Sequence, residues 1–201
     1  MAGIVVPFRG SGGKQRLTGF GPDAHRGLVL AMLADVLAAT TEVGRTVVVT
    51  SDREATELAA ASGAEVVDDR GGGQGDAVAA ALGALPVGRV LVVNADVPCV
   101  VPSDLRALLA ATPPGGMALV PSTDGRTNAL SLPSAGLFQP LYGPGSAERF
   151  LRAAHDLGLD AVAVASPNLA DDVDTPKDLE RVRPRTGANT QAALQRLKKA
   201  S

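Results

Sequence analysis

The chain alternates short apolar runs with longer stretches of helical periodicity. GIVVPF (3–8) is a β-branched run suited to a buried strand, and the glycine-rich GSGGKQRL leads from it into a helical stretch from about Asp23 to Thr40. RTVVVTS predicts a second strand, EATELAAAS a helix and AEVVDD a third strand, each bounded by Gly, Asp or Ser. GDAVAAALGAL predicts a helix, RVLVVNAD a continuous apolar strand, and PSDLRALLAA a helix opened by Pro102 or Ser103. Strands alternating with helices predict a mostly parallel, doubly wound α/β sheet. Ligands of such sheets bind beyond the carboxyl ends of the strands, so the loops after Phe8, Asn94 and Val120 are expected to converge on one site.

From Met117 the rhythm changes. MALVPS and TNALSLP are strand-like runs separated only by TDGR, too short for a parallel crossover, so an antiparallel element is expected to interrupt the sheet. SAERFLRAAHDLGL predicts a helix ending at Gly158, DAVAVA a last strand, and TPKDLERV a short helix with Thr175 as N-cap and Pro176 at its first position. Beyond Pro184 the chain is polar with one amphipathic turn. The expected organisation is a single domain over 1–183 and a polar tail over 184–201, mobile or loosely docked.

With 201 residues and 45% apolar content there is material for one real core, but aromatics are only 2%. That core must be made of Ala, Val and Leu on closely packed layers. The net charge of −2, without a dense Lys/Arg stripe, argues against a nucleic-acid partner and for a small ligand. Cys99 stands alone, which excludes an internal disulfide and a thiolate metal site and suits a reducing, cytoplasmic setting. The most apolar helix, LVLAMLADVLAA, is broken by Asp35, so no membrane span or targeting segment is expected. His25 and His155 lie in polar surroundings and read as surface residues.

The candidate chemistry falls in the predicted loops. Gly10, Gly12 and Gly13, followed by Lys14 and Arg16, would let backbone amides approach a phosphate while two cations neutralise it. The loop is not a Walker A motif, which needs a glycine where Phe8 stands and Ser or Thr in place of Gln15; the competing reading is a surface turn. Asp96, where VLVVN runs out, would project into the crevice and suits a magnesium ion, which takes one or two carboxylates with phosphates and waters. DDVDTP adds Asp171, Asp172 and Asp174 before a helix whose cap Thr175 can supply. One or two of these carboxylates are then available to join Asp96, although Asp174 could equally help the cap. Thr127 and Asn128 open a strand, while Gly143, Gly145 and Ser146 precede a helix able to receive an anion. Together they could cradle a phosphorylated acid.

PSTDGRTNAL, YGPGS and DVDTPKDL, in that order after NADVP and a first loop ending KQRL, resemble the guanylyltransferases that activate phosphoenolpyruvate or 2-phospho-L-lactate for coenzyme F420 biosynthesis. The resemblance covers residues 3 to about 183. It implies a Rossmann-like GT-A nucleotidyltransferase fold, GTP as donor, a small phosphorylated three-carbon acid as acceptor and Mg2+ as cofactor. It places the family's metal carboxylates on Asp96 and on Asp174, with Asp172 as the competing choice. Its phosphoacid positions fall on Thr127, Gly143 and Ser146, and its basic loop residues on Lys14 and Arg16. The family's GLN-type segment is replaced here by GGGQGDAV, in which Gly73 and Gln74 are the residues left to approach the nucleotide. Compatible partners are a second copy of the chain, as a homodimer, and the next enzyme of the pathway, to which product would be handed. The alternatives are a molybdenum-cofactor or sugar-phosphate nucleotidyltransferase, and a non-catalytic nucleotide-binding domain.

Overall fold

A computed structural model describes residues 2–10, 17, 21–85 and 88–200, with only the backbone of the last two. Among these residues seven strands form one sheet: β1 (Gly3–Pro7), β2 (Arg45–Val49), β3 (Glu65–Val67), β4 (Val90–Val93), β5 (Met117–Pro121), β6 (Thr127–Leu132) and β7 (Ala161–Ala163). Their order across the sheet is β3-β2-β1-β4-β6-β5-β7. β6 runs antiparallel to β4 and β5, and the other pairings are parallel.

Among the described residues the α-helices are α1 (Pro22–Val43), α2 (Arg53–Ala61), α3 (Gln74–Leu82), α4 (Pro102–Ala111), α5 (Ser146–Asp156), α6 (Pro167–Ala170), α7 (Pro176–Val182) and α8 (Ala188–Ala200). Local chemistry sets several starts. Asp52 caps α2 by accepting from the Ala55 amide at 3.0 Å, and α4 opens with Pro102 while the Asp104 carboxylate takes the Val101 amide at 3.0 Å. Thr175 and Asp178 close a reciprocal capping box on α7.

Central strands are apolar on both sides because both faces are covered. Ile4 and Val6 of β1 join the cluster under α1, α2 and α4, whereas Val5 joins the one under α3 and α5. Leu91 and Val93 of β4 likewise separate from Val90 and Val92. Cys99 belongs to the first cluster, where burial pushes its thiol up to about 11, so it packs as an inert side chain.

The C-terminal segment, expected as a mobile or loosely docked polar tail, contains a helix. Residues 188–200 form α8, which packs on α1 and adds Ala193 and Leu194 to the first cluster. Its start is held by Asp35, which accepts from the Asn189 amide (2.9 Å), the Asn189 side chain (3.0 Å) and the Thr190 amide (2.9 Å). The residue that interrupts the apolar run of α1 is therefore the anchor of the last helix. No helix among the described residues is long and apolar enough to cross a membrane.

Candidate nucleotide and metal site

The carboxyl ends of β1 and β4 lie beside the amino end of β6, because β6 alone runs the other way. That reversal sets Thr127 and Asn128 next to Asn94, whose backbone amide donates to the Asn128 carbonyl at 2.9 Å. A cavity of about 260 Å3 opens there, lined by residues of the first loop, of NADVP, of β6, of the YGPGS segment and of DDVDTP. Gln74, Tyr142 and Gly143 also line an adjoining hollow with Gly73 and Gly75. Gly75 is needed at that point, since a Cβ there would sit 2.5 Å from Pro140 and force α3 away from the YGPGS segment.

Asp96, Asp172 and Asp174 each offer a carboxylate oxygen to one point, the three atoms lying within 4.8 Å of one another. The backbone explains the grouping. The Val173 amide donates to the Asp96 carbonyl at 2.9 Å, and its side chain is fully buried in the core. Its neighbours on either side, Asp172 and Asp174, bring their carboxylates together with that of Asp96. Asp171 does not join them, being held by Arg181 and Arg185. Thr175 and Asp178 cap α7, so Asp174 is not required there. Burial first, and then the charge of Asp96, push the Asp172 carboxyl up to about 6, opposed by a hydrogen bond from Asn128. Three hard oxygen donors in mutual repulsion fit a divalent cation, which would relieve that repulsion.

Thr127 and Ser146, both buried, share a hydrogen bond of 3.1 Å. The amides of Ser146 and Ala147, the first two of α5, are already engaged by the carbonyls of Gly143 (3.1 Å) and Gly125 (3.3 Å). The first two amides of α5 are thus engaged within the chain, and what this region turns to the cavity includes Thr127, Gly143 and Ser146. The loop before the helix is shaped by Arg149, whose guanidinium takes the carbonyls of Leu141 (2.8 Å), Tyr142 (3.2 Å) and Pro144. In a trans peptide N–H and C=O point in opposite directions, so the amides of Gly143 and Gly145 face away from Arg149. Gly143 (φ 116°) and Gly145 (φ 68°) supply the backbone this needs.

Of the remaining expected residues, Gly10 lines the cavity with φ 72°, Gly73 lines the hollow, and Gln74 lines both. Lys14, Arg16, Gly12 and Gly13 lie outside the described residues. Asn128 lines the cavity, but its side chain is occupied by neighbours, as set out below. Sequence reasoning missed Asn94, Arg126 and Arg149. Asn94 closes the apolar strand predicted over RVLVVNAD, so its position could have flagged it, whereas Arg149 reads in the sequence as one more charge on a helix face.

The family described as guanylyl transferase CofC-like matches residues 2–199, which takes in all of α8 but its last residue. A phosphoenolpyruvate guanylyltransferase of Nocardia farcinica is 37% identical over 186 residues, covering 86% of this chain and 80% of that protein. One of Streptomyces scabiei is 39% identical over an aligned length of 207, covering 92% and 94%. Among solved structures, a nucleotide-diphospho-sugar transferase of Desulfovibrio desulfuricans superposes with a TM-score of 0.78 at 18% identity, covering 98% of this chain and 95% of that one. A nucleotidyl transferase of Methanothermobacter gives 0.66 at 18% identity, covering 92% and 96%; both likenesses concern the fold. Three carboxylates grouped at one point, a glycine loop and a hydroxyl pair lining the same cavity, and a family match along nearly the whole length lead to one conclusion: the chain belongs to the CofC-like guanylyl transferases.

Proposed function

We propose that the chain moves GMP from GTP onto phosphoenolpyruvate, releasing pyrophosphate, as a step of coenzyme F420 biosynthesis. The observation that carries this reading is that one cavity is lined both by the Asp96–Asp172–Asp174 group and by Thr127, Gly143 and Ser146. A triphosphate and a phosphorylated acid can therefore meet within it. The acceptor's phosphate oxygen attacks the α-phosphorus of GTP, forming a P–O–P linkage and breaking the bond to the β-phosphate. The nucleophile is already an anion and needs no general base, so orientation and charge neutralisation carry the rate.

Asp96, Asp172 and Asp174 would hold the cation, for which Mg2+ suits an all-oxygen set with room for substrate oxygens. Bound Mg2+ supplies neutralisation of phosphate charge in the transition state. The Thr127 and Ser146 hydroxyls would turn from each other to the acid, joined by the outward amides of Gly143 and Gly145. Arg126, which lines the cavity and lies 3.4 Å from Asp124, is a cation within the same space. Lys14 and Arg16 are assigned to the triphosphate, and Gly10, Gly73 and Gln74 to the nucleotide. A homodimer and handover of the product remain compatible with this reading.

Phosphoenolpyruvate is favoured because the curated relatives bear its name. The test is a side-by-side turnover assay with GTP, Mg2+ and phosphoenolpyruvate, 2-phospho-L-lactate or 3-phosphoglycerate, following pyrophosphate and identifying the nucleotide product by mass. Preferred turnover of phosphoenolpyruvate is expected. Turnover of a different acid reassigns the acceptor, and absence of pyrophosphate with all three overturns the reading.

A further inference from the structure

Three side-chain amides lie in series across the floor of the cavity. The Gln74 Nε2 donates to Asn94 Oδ1 at 2.7 Å, Asn94 Nδ2 donates to Asn128 Oδ1 at 3.2 Å, and Asn128 Nδ2 donates to Asp172 Oδ1 at 3.2 Å. Backbone carbonyls fix the direction of the series. Asn94 Nδ2 also donates to the Thr127 carbonyl at 3.2 Å, and Asn128 Nδ2 to the Ala170 carbonyl at 3.2 Å. A carbonyl can only accept, so neither amide can turn over without setting oxygen against oxygen. Both N–H groups of Asn94 and both of Asn128 are thereby consumed. What an Asn side chain would offer a phosphate or carboxylate is its N–H, so Asn128 has nothing left to give the acid that the sequence reading assigned to it.

We propose that Asn94 and Asn128 are positioning residues, a one-way amide relay that aims the Asp172 carboxylate at the cation and ties it to Gln74 at the start of α3. This inference rests on the reading of Asp172 as a cation ligand. Asp172 lies in the irregular segment after α6, and Asn128 braces it at two points, through the carbonyl of Ala170 at the end of α6 and through the carboxylate itself. Asn128 in turn is set by its cross-strand neighbour Asn94. Partners behind a ligand fix its orientation and commonly matter about ten- to a hundredfold in metal affinity.

The test measures binding of Mn2+ to the full-length chain by the electron paramagnetic resonance signal of free Mn2+, with no acceptor present and with or without GTP. Asn128→Ala is expected to weaken Mn2+ binding about tenfold or more. Asn94→Ala, which touches no carboxylate, is expected to weaken it less, and the double variant to match Asn128→Ala alone because the relay is serial. Asn128→Ser, which keeps a small donor, is expected to recover part of the loss; it also serves if Asn128→Ala does not fold. Unchanged Mn2+ affinity in folded Asn128→Ala or Asn128→Ser, alongside a raised acceptor KM, would make Asn128 a substrate contact and overturn the relay while leaving the cation site standing. A wild-type chain that binds no Mn2+, or an Asp172→Asn variant that binds it as well as wild type, would overturn the cation site and the relay together.

Discussion

At the scale of single residues, the carboxylates differ in environment although they share one place. Asp172 is half-buried against Asp96, and its pKa of about 6, against 3.8 for an ordinary Asp, means that the folded, metal-free chain keeps a proton that the unfolded chain has released. The stability this contributes is complete below pH 3.8 and is lost as pH rises through about 6. Asp172→Asn stays neutral, so in urea titrations without metal its midpoint is expected to overtake that of wild type as pH rises from 4 to 7. Added Mg2+ should reverse the order at pH 7 by favouring the ionised form. Asp96→Asn keeps the volume and removes an anionic ligand, so kcat should fall by more than about a hundredfold with the thermal transition kept. Retained turnover at ordinary Mg2+ would remove Asp96 from the cation site.

At the scale of elements, the YGPGS loop and α5 behave as one device because Arg149, one turn into the helix, grips the carbonyls of the loop that precedes it. Arg149→Met retains the stem and loses the grip. The acceptor KM is expected to rise about tenfold while the GTP KM and Mn2+ affinity hold steady, since the amides of Gly143 and Gly145 lose their set direction. Steady-state titrations of both substrates on one sample decide this, and an equal rise in both would mean that α5 had shifted as a whole. The periodicity made α5 and its boundary at Gly158 legible. It was silent on Arg149, which reads in the sequence as one more charge on an exposed face, because backbone carbonyls leave no trace in residue types.

At the scale of the whole molecule, α8 closes the far side of α1. Asp35→Ala would leave the buried amide of Thr190 and that of Asn189 without their acceptor. A loss of about 1–3 kcal/mol in unfolding free energy is expected, read as a lower denaturant midpoint. Turnover at 25 °C should change little, because none of the described side chains of α8 lines the cavity. A collapse of kcat would instead mean that α8 sets the position of Met32 and Val29, which line the cavity from α1.

The sequence by itself determined the alternation of strands and helices, the antiparallel interruption after Met117 and the cap at Thr175. These follow from periodicity, turn length and local hydrogen bonding, which are properties of neighbours along the chain. It also singled out Asp96 at a strand end and the carboxylates of DDVDTP before a helix, since clustered acidic residues in loops stand out by type, yet it could not choose between Asp172 and Asp174. Only the tertiary structure brought both to Asp96, through the Val173 amide on the Asp96 carbonyl 77 positions away. It also turned a polar tail into a docked helix, because the partner of that helix's first amides is Asp35, 154 and 155 positions distant. Contacts of that range depend on how the strands are ordered and which one is reversed, and no local pattern encodes them.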